Sequence, residues 1–135
     1  MAKVLIIDDD QLLVTMYEEK FEKDGYEVST AFNGEEGLKK IKEEKPTLVL
    51  LDIMMPKMNG LEVLETIKKD RKIKNIPVIL LTNLARGKED VHKGLEMGAV
   101  TYLVKGDLKP SQVVLKVKEI LEARTRNNIP KIRGA

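Results

Sequence analysis

Short apolar runs alternate with helix-spaced apolar positions along almost the whole chain. Residues 3–7 read as a strand, and residues 10 to about 24 as a helix with Leu13, Met16, Tyr17 and Phe21 near helical spacing and Gly25 past its end. Residues 26–30 alternate as a second, shorter strand. Asn33-Gly34 signals a turn, after which a helix from Glu36 to about Glu44 carries Leu38 and Ile41 and stops at Pro46. Residues 47–51 form a third strand, 53–60 a loop, and 61 to about 70 a helix with Leu61, Leu64 and Ile67 on one face. A fourth strand covers 77–81, and a helix from 84 to about 97 is interrupted by Gly87 and Gly94. Glycine costs roughly 1 kcal/mol in a helix interior, so this helix is expected to be the least stable. A fifth strand covers 100–104. The last helix runs from about Pro110 to Arg126 with Val113, Val114, Val117, Ile120 and Leu121 facing inward. Pro110 fits its first turn, and Asp107 or Leu108 falls near its cap.

Five strands alternating with five helices predict an α/β fold: one five-stranded parallel sheet, doubly wound, in the flavodoxin-like order 2-1-3-4-5. Ligands of such sheets bind beyond the carboxyl ends of the strands, where the strand order reverses, here between strands 1 and 3. Those two strands run straight into acid. Leu5-Ile6-Ile7 meets Asp8-Asp9-Asp10, and Leu48-Val49-Leu50-Leu51 meets Asp52. Acids there serve as helix caps in many folds, and Asp10 is placed to cap the first helix. Several carboxylates converging on one rim repel one another and resist desolvation, so the set calls for a cation. An all-oxygen acidic site suits Mg²⁺, Mn²⁺ or Ca²⁺. Strand 4 adds Thr82 to the same rim and strand 5 adds Lys105.

Composition narrows the chemistry. The 135 residues suit one domain, and 42% hydrophobic with 34% charged residues is ordinary for a globular chain. The sequence has no cysteine and one histidine, His92, so thiolate or multi-histidine metal sites are excluded. No apolar stretch approaches the roughly 20 residues of a membrane span, and a cytoplasmic protein without a membrane partner is expected. Net charge is +2, unevenly spread: every acid lies at or before Glu122, and Arg124, Arg126, Lys131 and Arg133 follow. The domain is therefore assigned to residues 1–123 and a basic, poorly ordered tail to 124–135. Four dispersed cations make a weak case for nucleic acid, and no direct nucleic-acid partner is expected.

The segments Ile6-Ile7-Asp8-Asp9-Asp10, Leu51-Asp52-Ile53-Met54-Met55-Pro56-Lys57-Met58-Asn59-Gly60, Leu81-Thr82 and Gly98-Ala99 to Tyr102-Leu103-Val104-Lys105 together resemble the receiver domain of two-component response regulators, in the manner of single-domain chemotaxis regulators. The resemblance implies that Asp52 is the phospho-acceptor and that Asp8, Asp9, Asp52 and the backbone carbonyl of Met54 hold Mg²⁺, with Asp9 the more direct ligand of the first pair. Thr82 and Lys105 would contact the phosphoryl group, and Tyr102 would change rotamer with Thr82 on activation. Partners implied are a histidine kinase or phosphotransfer protein, and a downstream protein target on the face of helix 4, strand 5 and helix 5. The protein would catalyse only its own phosphorylation and dephosphorylation. The competing readings are a phosphorylation-independent pseudo-receiver and an aspartate-nucleophile phosphatase, which would need a cap domain. Asp52 itself, taken at the ordinary carboxylate value of roughly 3.9, is expected to be ionised at neutral pH without a general base. Two positions depart from the resemblance. Gly106 follows Lys105 where proline is usual, so a trans bond and a different loop are expected. Asn83 replaces a small residue and is expected to narrow access to Asp52.

Overall fold

A computed structural model describes residues 2–127. Its elements are β1 (Lys3–Ile7), α1 (Gln11–Lys23), β2 (Glu27–Ala31), α2 (Gly34–Glu44), β3 (Leu48–Asp52), α3 (Gly60–Lys69), β4 (Val78–Thr82), α4 (Leu84–Glu96), β5 (Thr101–Val104) and α5 (Pro110–Asn127). The strands form one sheet in the order β2-β1-β3-β4-β5, every pair parallel. This is the architecture the alternating pattern predicts; the first strand lies where expected, and the other four start one residue later.

Strand alternation divides the core into two layers. Leu5, Ile7, Val49, Leu51, Val78 and Leu80 point to one face, where Ile41, Val63, Leu64, Ile67 and Val91 of the middle three helices cover them. Val4, Ile6, Leu48, Leu50, Ile79 and Leu81 point to the other, under Val14, Tyr17 and Phe21 of α1 and Val113, Val114 and Val117 of α5. Because both faces are covered, β3 and β4 are buried at every position and read as continuous apolar runs.

Four local readings change. On α1 the buried stripe is Val14, Tyr17 and Phe21, an i, i+3, i+7 set, and Met16 falls off it, 41% exposed. The α5 cap is Lys109, neither Asp107 nor Leu108, and its N–H donates to Gln112 Oε1 at 2.7 Å. Helix α4 runs unbroken through both glycines. Gly94 is there for space, since a Cβ would stand 2.4 Å from Leu80 Cδ1, so the absent side chain lets α4 approach β4. Finally, α5 takes in residues 124–127 of the expected tail, and residues 128–135 lie outside the described residues. No helix among the described residues is long and apolar enough to cross a membrane.

Candidate functional site

Register brings the acids together. Ile7 pairs with Leu51, so the next residues, Asp8 and Asp52, stand side by side at the carboxyl end of the sheet. Asp52 pairs with Leu81 and Thr82 with Val104, which places Thr82 and then Lys105 along the same rim. The Lys105 amide donates to the Thr82 carbonyl at 2.8 Å, tying the two strand tips. One oxygen each from Asp8, Asp9 and Asp52 lies within 4.8 Å of the others. Asp8 is fully buried, Asp52 and Thr82 are 3% exposed, and Asp9 is open to solvent.

Local backbone holds each carboxylate. The Asp10 amide donates to Asp8 Oδ1 at 2.9 Å, while the Asp10 side chain caps α1 by accepting from the Leu13 amide at 3.1 Å. The Met54 amide donates to Asp52 Oδ1 at 3.2 Å. Lys105 Nζ lies 2.8 Å from Asp8 Oδ2 and 3.1 Å from Asp52 Oδ1. Thus one ammonium bridges two buried carboxylates from different strands. Asp52 Oδ2 is left buried with no partner among the described residues, while Asp8 Oδ2 has the ammonium without hydrogen-bond geometry. Buried polar atoms are almost always satisfied, so an orphaned carboxylate oxygen within an all-oxygen cluster fits a hard divalent cation such as Mg²⁺.

The electrostatics correct the expectation for the acceptor. Burial, and after it the neighbouring Asp8 charge, push the Asp52 carboxyl up to about 7, against the pull of Lys105. Asp8 is also raised, first by burial. Burial works against the Lys105 ammonium, but the two carboxylates outweigh it and hold its pKa above the ordinary value. The ordinary carboxylate value leaves out the burial and the Asp8 charge that act on Asp52 here.

The loop after β3 is shaped by close backbone approaches. A Cβ at Gly60 would lie 2.3 Å from the Asp52 carbonyl oxygen, and the Gly60 amide donates to the Ile53 carbonyl at 2.8 Å. Asn59 and Glu62 form a reciprocal capping box there, 3.0 and 3.1 Å, whose signal in the sequence is Asn-x-x-Glu. Gly34, read from sequence as a turn residue alone, is the second case: a Cβ there would lie 2.0 Å from the Met58 carbonyl oxygen. Nothing in the sequence pairs those two positions. Gly60→Ala is expected to cost about 2 kcal/mol, since the obstacle is backbone that has to move, and to impair the acid cluster with it. Urea denaturation monitored by circular dichroism checks the first effect.

The remaining candidates are placed as follows. Met55 and Met58 pack on the core, whereas Met54 is 56% exposed beside Asp52. Tyr102, opposite Leu80 on the edge strand, is 38% exposed. Asn83 is exposed at the start of α4 and makes no side-chain cap bond. His92 is exposed, 3.1 Å from Glu96. The Lys105–Gly106 bond is trans, and Gly106 has φ +85°, a left-handed conformation that suits glycine.

The chain matches the family model of the response regulator receiver domain over residues 4–118. It is 41% identical over 120 residues to the alkaline phosphatase synthesis transcriptional regulatory protein PhoP of Bacillus subtilis, covering 88% of this chain and 48% of that protein. It is 43% identical over 136 residues to a CpxR homolog of Haemophilus influenzae, covering 98% of this chain and 56% of that one. The chain thus spans about half the length of these curated relatives. Among solved structures, a CheY-like receiver domain protein from Methanospirillum hungatei superposes with TM-score 0.86 at 33% identity, over 95% of this chain and 99% of the other. A Francisella receiver domain gives 0.80 at 33% identity, over 93% and 99%. Family model, relatives and fold agree, and the chain belongs to the response regulator receiver family.

Proposed function

We propose that this domain is a Mg²⁺-dependent phospho-acceptor switch with Asp52 as the acceptor. The observation that carries the reading is the partnerless, buried Asp52 Oδ2 beside Asp8, Asp9 and the Lys105 ammonium. Asp8, Asp9, Asp52 and the Met54 carbonyl are the residues that would hold the ion, which supplies charge neutralisation between two anionic reactants. An Asp52 carboxylate oxygen attacks phosphorus. The P–N bond of a phosphohistidine on a kinase or phosphotransfer protein breaks as the O–P bond of an acyl phosphate forms. Lys105 turns from Asp52 to the incoming anionic oxygens as a point charge, and the Thr82 hydroxyl donates to one of them. No substrate other than the domain itself is processed, which makes it a signalling module acting in the cytoplasm.

The new group adds roughly −1.5 to −2 charge at the rim. Thr82 moving toward it vacates space on the α4 side of β5, into which Tyr102 turns from its exposed position. The α4–β5–α5 face, with Tyr102, Leu95 and Val100 exposed, is then the surface that a downstream protein reads. The intact acid set separates this reading from a pseudo-receiver.

Incubation with acetyl phosphate and Mg²⁺, read by intact mass, is expected to add one phosphoryl group to the wild-type chain. The attacking form is the ionised carboxylate. At low Mg²⁺ the rate therefore rises as pH climbs through about 7, the value to which burial lifts Asp52. Saturating Mg²⁺ favours ionisation and moves that midpoint downward. A profile flat from pH 5 to 8 at low Mg²⁺, or no adduct at all, defeats the assignment.

A further inference from the structure

The end of the molecule opposite the acid cluster carries a concentrated positive charge. Residues 68–74 hold five cations against the one acid Asp70, a balance of +4 where the whole chain has +2. The loop that bears them is rigid by construction. Ile73 is buried in the core, and the Lys74 and Ile73 amides both donate to the Asp70 carbonyl. Asp70 Oδ1 is itself committed to the Lys72 amide at 2.9 Å. Two further cations serve as props: Lys68 Nζ donates to the Lys74 carbonyl, and Arg124 of α5 donates to the Asn75 carbonyl, both at 3.0 Å. Burial, and then the Arg124 charge, lower the Lys68 pKa, as expected where like charges crowd.

Arg71, Lys72 and Lys74 project outward from this platform, exposed and, among the described residues, with no carboxylate within 4.0 Å. Two clefts meet at Lys72. One, of about 290 Å³, lies between Lys72 and Lys42 and Lys45 at the end of α2. The other, of about 520 Å³, is lined by Lys69 and Arg71 together with Glu65 and Asp70, and Lys69 pairs with Glu65 at 3.7 Å. Helix α5 brings Arg124 to this end.

We propose that this face binds the phosphate backbone of double-stranded nucleic acid without regard to sequence. The composition of the patch selects the partner. Protein interfaces are anchored by aromatic and apolar side chains and are poor in lysine. The exposed large apolar residues of this chain are Leu12, Met16, Phe32, Met54, Leu95, Val100, Tyr102 and Leu115, and none of them lines either cleft. The patch also lacks aromatic rings on which single-stranded bases could stack. What it offers is three point charges without a carboxylate partner among the described residues, Arg71, Lys72 and Lys74, on a fixed loop, which suits counterion-releasing contact with closely spaced phosphates. The four tail cations make a weak case in sequence. The fold strengthens it by seating Arg124 against a second basic segment fifty residues away. The inference is independent of the phospho-acceptor reading.

Fluorescence anisotropy of the full chain with two unrelated 20-base-pair duplexes tests it. Expected are equal affinities for the two, in the non-specific range of roughly 10⁻⁴–10⁻⁶ M, and a log K against log salt slope of about −4, or some four to five phosphates. The double variant Lys72→Glu with Lys74→Glu should weaken binding at least tenfold and flatten the slope by about two units. A control of equal net charge, Lys116→Glu with Lys118→Glu on the exposed face of α5, should leave the slope in place; both variants are checked for wild-type melting. Undetectable binding at 50 mM salt overturns the proposal. So does an equal loss in the control, which would mean diffuse attraction, or a marked preference for an acidic polypeptide over duplex.

Discussion

Asp52→Asn is expected to abolish phosphoryl incorporation from acetyl phosphate and, in the presence of chelator at pH 8, to melt higher than the wild type. The first effect follows from removal of the nucleophile. The second follows from burial: Asp52 is 3% exposed, one of its oxygens has no partner, and its carboxyl is lifted to about 7. The folded state therefore holds a proton between about pH 4 and 7 that the unfolded chain has released. With fewer protons bound in the unfolded state, stability falls as pH rises through that window, and the penalty is complete above it. Asparagine carries no charge to desolvate, so the variant loses that slope. A gain of about 1–3 kcal/mol, or several degrees in Tm, is the expected scale. Mg²⁺ should reverse the order, because it stabilises only the chain that keeps the carboxylate. A variant that melts lower than wild type in chelator would show that Asp52 is already satisfied.

Lys105→Met should have the opposite effect without metal. Its ammonium is 2.8 Å from Asp8 and 3.1 Å from Asp52, and its removal leaves two buried carboxylates facing each other. Breaking a buried pair by deleting one partner costs about 3–5 kcal/mol, less whatever a captured proton recovers. Scanning calorimetry in chelator should show the loss. Titration with Mg²⁺ should then show a larger rise in Tm than in wild type and a tighter apparent Kd, because ion and ammonium compete for the charge of the same two carboxylates. Phosphoryl incorporation should nevertheless drop, since no cation meets the incoming anion. Unchanged Mg²⁺ affinity would mean that Lys105 and the ion do not compete for that charge.

Much of this site is legible in the sequence because a buried parallel strand must be apolar until it reaches the rim. The abrupt change at Ile7-Asp8 and Leu51-Asp52 marks the carboxyl ends of β1 and β3, and the order of a doubly wound sheet makes them neighbours. Asp10 as a cap and the trans bond before Gly106 are local matters, decided by one residue and its immediate neighbours. What stays illegible depends on distance across the fold. The Asp52 pKa is set by burial and by Asp8, forty-four residues away. Gly94 reads as a weakness until Leu80 is seen against it, and Gly34 reads as a turn until the Met58 carbonyl is seen. The Lys109–Gln112 cap has no strong signature, since lysine is a poor cap by itself.

Gly106 differs in kind from the crowded glycines. It has no neighbour within 4 Å of a would-be Cβ, and only the sign of its φ excludes ordinary residues. A mirror-image residue satisfies that sign. Chemical synthesis or ligation could therefore install D-alanine at the residue next to Lys105, whose ammonium bridges the two carboxylates. That would stiffen the segment that carries Lys105 without changing any side chain of the acid pocket.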